Sequence, residues 1–265
     1  MDKAVTRSSA SDSPPRPTRA EALQIAEACS RLLQTQFGAR RVIIFGSLAG
    51  QGPWHERSDI DLAVEGLPPG QFFKAYSACW DLLPRGMTLD LVPLEDAYPE
   101  MRARILGVVE MPKDPILTLK SLIEDELKAL ERVAREMKVL LTECAQPPTS
   151  TELRAMASML HEFYNGIESI FGRIAVQLDE GLPRGEFWHM DLLYQMAEAQ
   201  EGRRPAVIDE PLQARLTEYL KFRHFFRHAY GYTLKWNEMR WKVESMAETL
   251  EMVRQQLATF FAGGW

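Results

Sequence analysis

Three aspartates carry the strongest chemical signal in this chain. Val42-Ile43-Ile44-Phe45 is an apolar run that ends in Gly46-Ser47, as where a buried strand gives way to a turn whose N–H groups can face an anion. After a spacer from Leu48 to Ser58 comes Asp59-Ile60-Asp61-Leu62, where a strand's period of two puts both acids on one face and both apolar residues on the other. Met87-Thr88-Leu89-Asp90-Leu91-Val92 alternates in the same way and adds a third acid. Carboxylates this close resist ionising together unless a cation lies between them, and hard divalent ions choose such oxygens alongside substrate phosphates. Asp59, Asp61 and Asp90 are therefore expected to hold Mg²⁺ and a nucleoside triphosphate, with Gly46 and Ser47 at the nucleotide.

A second chemical stretch begins at Tyr219. From there to Lys242 six Lys and Arg (Lys221, Arg223, Arg227, Lys235, Arg240, Lys242) face one acid, Glu238, a local charge of +5 in a chain of net charge −6. Cations hold phosphate and aromatic rings stack on unpaired bases, so this composition suits single-stranded RNA; a solvated amphipathic helix has the same composition. Arg223 and Arg227 share a helix face, and Lys221 adds to the charge. His228 has the chemistry to shuttle the proton of a ribose 2′-hydroxyl. Glu162, Asn165 and Glu168 run along one side of a long helix and read as a solvated stripe or a partner of the basic motif. Trp188-His189 reads as a lid or a packing element, with a satisfied core histidine as the default.

Gly-Ser, a spacer, Asp-x-Asp and a later Asp resemble the polymerase-β superfamily, in particular its minimal nucleotidyltransferases, over about residues 20 to 112. The spacer here is eleven residues, and Leu48 stands where the family usually has Arg. Arg223, four residues, His228, one residue, Tyr230 resembles the Arg-x4-His-x-Tyr signature of HEPN toxin ribonucleases, the helical partners of those enzymes in MntA/HepT-type toxin–antitoxin pairs. The two resemblances together imply a fusion. The N-terminal domain would transfer AMP from ATP to Tyr230 and thereby silence a metal-independent ribonuclease in which Arg223 and His228 act on RNA, with self-association through the HEPN domain into a homodimer or larger. Two other readings share the first domain: an aminoglycoside-type enzyme that modifies a small molecule, and a non-catalytic nucleotide sensor.

The elements that must position these residues follow from periodicity. Residues 1–17, rich in Ser and Pro, are expected to be a disordered tail. Residues 18–113 read as the α/β nucleotidyltransferase domain on a mixed sheet. Its first helix is capped by Thr18 and Glu21, has Leu23, Ala26, Cys29, Leu33 and Phe37 at helical spacing, and stops at Gly38; a second, from about 69 to 83, buries Phe72, Phe73, Tyr76, Cys79 and Trp80. Residues 114–265 read as an all-α, HEPN-type bundle with helices near 116–143, 151–180, 186–199, 209–230 and 234–261. At 265 residues and 46% hydrophobic content, two soluble domains are expected. No apolar run approaches the roughly 20 residues of a membrane span. The N-terminal residues lack a signal peptide's apolar core, and three widely spaced cysteines suit reduced thiols in a cytoplasmic protein.

Overall fold

The computed structural model describes residues 17–55, 58–109, 111–228 and 234–263. The tail expected over 1–17 lies outside these apart from Pro17, as does Tyr230, and of His228 only its place in a helix is described. The chain divides into two compact units, 1–110 and 111–265.

In the first unit, α1 (Arg19–Phe37) opens with a complete capping box between Thr18 and Glu21 and closes at Gly38, whose φ of 74° is the left-handed conformation in which glycine carries no steric penalty. Strands β1 (Arg41–Phe45) and β2 (Ile60–Glu65) pair antiparallel, and β3 (Leu89–Pro93) pairs parallel to β2 on its other side. The sheet is thus mixed, in the order β1-β2-β3. Period-two alternation gives it two unlike faces. On one, Val42, Ile44, Ile60, Leu62, Val64, Leu89 and Leu91 pack with Ala22, Ala26, Cys29 and Leu33 of α1 and with Ala75 and Cys79 of α2 (Phe72–Trp80). On the other, Ile43, Phe45 and Ala63 meet Leu94, Ile105 and Leu106, the last two at the end of α3 (Pro99–Ile105).

Two helix faces differ from expectation. Ala22, not Leu23, is the buried first-turn residue of α1; Leu23 is 40% exposed. In α2 the small Ala75 and Cys79 fill the interface, so Phe73 stands 83% exposed and Trp80 45%. A helix packed closely on a sheet seats small side chains at the contact and turns bulky ones aside.

The second unit is helical: α4 (Pro115–Glu143), α5 (Ser150–Leu178), α6 (Trp188–Ala197), α7 (Glu210–His228), α8 (Trp236–Glu244) and α9 (Met246–Ala262). α5 lies at its centre and packs on α4, α6, α7 and α8. It buries residues on nearly every side, including Leu160, Phe163, Ile167, Ile170 and Ile174. Gly166 lets α4 close in, since a Cβ there would fall 2.6 Å from the Leu130 side chain.

The single last helix expected over 234–261 is two, broken at Ser245. The Tyr219 hydroxyl donates to the Lys242 carbonyl (2.8 Å), the acceptor that the Met246 N–H uses in an uninterrupted helix, and it lies 3.2 and 3.3 Å from the hydroxyls of Ser245 and Thr249. A side chain inserted into the backbone ladder is a known cause of such breaks.

The loop before α7 is held by a buried ion pair. Arg204 places Nε and a terminal nitrogen each 2.6 Å from the two oxygens of Asp179, and donates again to the carbonyls of Gln195, Glu198 and Pro205. Both side chains are at most 2% exposed. Removing one partner strands an uncompensated charge, so Asp179→Ala is expected to cost about 3–5 kcal/mol. Urea denaturation checks this; a midpoint unchanged from the parent contradicts it.

Candidate functional site

The first unit's site is built on the sheet face opposite α1 and α2. In-register pairing lines up Phe45, Asp61 and Asp90 in one row across the three strands. Asp59 immediately precedes β2. Its carboxylate accepts from the Thr88 hydroxyl, while the Ile60 N–H donates to the Thr88 carbonyl (3.0 Å), so the start of β3 fixes where Asp59 stands. Asp90 is open to water at its surface yet has protein packed around it. Partial loss of hydration, and then the charge of Asp59, push its carboxyl above the ordinary carboxylate range.

Gly46 ends β1 with φ 68°, and a Cβ there would overlap the Asp61 carboxylate, so only glycine lets the turn approach that acid. The turn is tied from two sides that the sequence did not reveal. Gln51 accepts from the Gly46 N–H through its side chain (3.0 Å) and donates its own N–H to the Gly46 carbonyl (3.0 Å). Arg19, at the start of α1, donates to the Leu48 carbonyl at 2.9 and 3.3 Å. Leu48 itself is buried in the core, which explains an apolar residue after Gly-Ser. The Gly46 N–H, expected to face an anion, is thus engaged within the turn; Ser47 sits in the same turn and offers its carbonyl to Gly50 (3.1 Å).

Among the described residues no group of three or more His, Cys, Asp or Glu is set to hold a metal by itself. Mg²⁺ asks for less, since one or two carboxylates plus substrate phosphates hold it in many nucleotide sites. The Asp61–Asp90 row, with Asp59 raising the cost of charge at Asp90, has the chemistry that such an ion relieves.

In the second unit the basic motif meets α5 and α6. Arg223 is 7% exposed. Its Nε donates to Asn165 Oδ1 (3.1 Å), one terminal nitrogen contacts Glu168 Oε1 (3.2 Å), and the other lies 3.0 Å from His189 Nε2. Glu168 Oε2 lies 2.6 Å from His189 Nδ1, and the Trp188 ring lies tilted against the imidazole with ring centroids 3.7 Å apart. Burial pulls the Arg223 guanidinium below its ordinary value, and Glu168 opposes that shift. His161, 3.2 Å from Asn165, has its pKa lowered by burial and then by Arg223 and Arg227.

Asn165 and Glu168 therefore face the motif. Glu162 does not join them: it is exposed, and partial burial followed by the charge of Glu136 raises its carboxyl. His189, read as packing, is part of the network. It comes from a helix more than thirty residues from Arg223 in sequence, and no local pattern announces such a contact. Lys221, two residues before Arg223, projects from nearly the opposite side of α7 and pairs with Glu218 (2.7 Å). Arg227 is exposed one turn beyond Arg223.

The raised pKa of Asp90 carries a prediction. The folded state prefers the protonated form, so the charge destabilises it at neutral pH, and that penalty disappears as pH falls through the raised pKa. Asp90→Asn is expected to raise the urea midpoint of the metal-free protein at pH 7, by an amount that shrinks in acid. A lower midpoint at pH 7 contradicts the assignment.

No helix among the described residues is long and apolar enough to cross a membrane. No curated protein and no solved structure matches this chain. The sequence model of the HepT-like protein family matches residues 155–263, which spans α5 to α9 and supports a HepT-type HEPN domain in the second unit.

Proposed function

We propose that this chain is a toxin–antitoxin-type protein in which a nucleotidyltransferase domain, residues 18–113, adenylylates Tyr230 of a HEPN ribonuclease domain, residues 114–265. The observation that carries the reading is the row of Asp61 and Asp90 on adjacent strands beside a glycine whose Cβ would overlap Asp61, in a chain whose other unit matches HepT-like proteins. Asp59, Asp61 and Asp90 would hold Mg²⁺, which supplies neutralisation of the phosphate charge when bound. The Tyr230 phenol oxygen attacks the α-phosphorus of ATP, its proton is lost, and the bond from that phosphorus to the bridging oxygen breaks to release pyrophosphate.

In the unmodified HEPN domain, His228 takes the proton of a ribose 2′-hydroxyl. That oxygen attacks the adjacent phosphorus, and the 5′-oxygen leaves. Arg223 and Arg227 answer the charge that grows on the phosphoryl oxygens. AMP on Tyr230 puts an anionic phosphodiester and an adenosine two residues from His228, where they compete with the RNA phosphate for the same cations. Self-association through the helical unit brings two copies of the motif together, and cytoplasmic ATP and RNA are the partners.

Intact-mass spectrometry of the purified chain with ATP and Mg²⁺ tests this. The parent is expected to gain one or more AMP units, Asp61→Asn none, and Tyr230→Phe none on the segment 219–242. Unmodified protein is expected to cut single-stranded RNA and AMP-bearing protein to spare it. Full AMP transfer by Asp61→Asn, or modification of the same segment in Tyr230→Phe, overturns the reading.

A further inference from the structure

The mechanism leaves unused a second histidine, held against the site's arginine. His189 enters from the first turn of α6, its side chain 19% exposed, and closes a three-membered ring with Glu168 of α5 and Arg223 of α7. The chemistry of the three groups fixes the direction of every bond. A guanidinium only donates, so the His189 Nε2 that lies 3.0 Å from it must present a lone pair. The remaining ring nitrogen, Nδ1, then carries the proton and donates to Glu168 Oε2 at 2.6 Å. Glu168 accepts from both partners, one oxygen to each. A second cation in place of the imidazole would repel the guanidinium at this distance and leave two positive charges for one carboxylate.

From this we infer that His189 is a positioning residue for Arg223: as a neutral Nδ1–H imidazole oriented by Glu168, it holds the guanidinium where the scissile phosphate is bound. The inference deepens the ribonuclease reading and rests on it for the identity of the phosphate. The ring itself stands on the geometry alone. Asn165 grips only Nε, which leaves the plane of the guanidinium free to turn about that bond. Glu168 and His189 each take one terminal nitrogen and stop the turn. His189 also lies against the tilted ring of Trp188 and cannot swing aside without breaking that contact. A group of this kind changes how well the arginine meets a transition state more than how tightly substrate binds.

The test uses the full chain carrying Tyr230→Phe, so that it stays unmodified, with His189→Ala and His189→Gln added separately. Glutamine offers one acceptor and one donor, the same pair that the neutral imidazole supplies. With a single-stranded RNA oligonucleotide, His189→Ala is expected to lower kcat about 10–100-fold, the usual penalty for losing a group that orients a site residue, with little change in KM. His189→Gln is expected to recover most of the loss. Nitrogen-15 NMR supplies a readout independent of cleavage: the Arg223 Nη–H resonance is expected to be resolved and exchange-protected in the parent and in His189→Gln, and broadened away by rotation in His189→Ala. Parental kcat in His189→Ala, an unchanged Arg223 resonance in that variant, or a glutamine no better than alanine overturns the assignment. A parent that cuts no RNA while its Arg223 resonance still depends on His189 sinks the ribonuclease reading and leaves the positioning role standing.

Discussion

A guanidinium inside a helical bundle is the constraint around which the second unit is arranged. Arg223 cannot be neutralised at any ordinary pH, so burying it to 7% exposure requires that acceptors be brought to it from other helices. α5 supplies an amide oxygen and a carboxylate, and α6 supplies an imidazole lone pair. Three helices are locked in rotation and height by one side chain, and apolar packing does not act in that way: Leu160 or Ile167 would accept a small slide, whereas three directed bonds do not. Gly166 lies on α5 between Asn165 and Glu168 in sequence, and there the helix lies close against Leu130 of α4, so the element that carries two of the three acceptors is itself braced by a neighbour.

The first unit holds its charge on a sheet and meets the opposite problem. Asp59, Asp61 and Asp90 gather three acids at one edge of the sheet, and the cost shows in the carboxyl of Asp90, raised by burial and by the charge of Asp59. Evolution tolerates such sites where a ligand completes them. The scaffold compensates locally: Thr88 satisfies Asp59, while Arg19 and Gln51 stiffen the turn against which Asp61 rests. Fixing the turn this firmly uses up the Gly46 N–H that a free loop would offer to a phosphate. Any nucleotide contact at this edge therefore falls to other atoms of the turn or to an ion carried by the acids.

How much of this was legible in the sequence follows from the range of each interaction. The capping box at Thr18, the glycine stop at Gly38 and the alternation around Asp61 and Asp90 are local, and each formed as their spacing dictates. At Leu23, Phe73 and Trp80 hydrophobicity does not mark burial, because the sheet seats the smaller neighbours Ala22, Ala75 and Cys79. The break at Ser245 was invisible because its cause, Tyr219, lies on another helix. His189 and Glu168 were legible only as ordinary helix residues, since nothing within a few positions of either points to Arg223.

The same separation in sequence explains why arginine, and not lysine, suits position 223. Three acceptors reach it from two helices at fixed angles, and a guanidinium meets them with three different nitrogens in one plane. An ammonium has three donors on one atom and could not span Asn165, Glu168 and His189 at once. The three contacts use one N–H on each nitrogen, so together they fix both the position of the guanidinium and the direction of its plane. The contacts that bury Arg223 are therefore also the contacts that orient it.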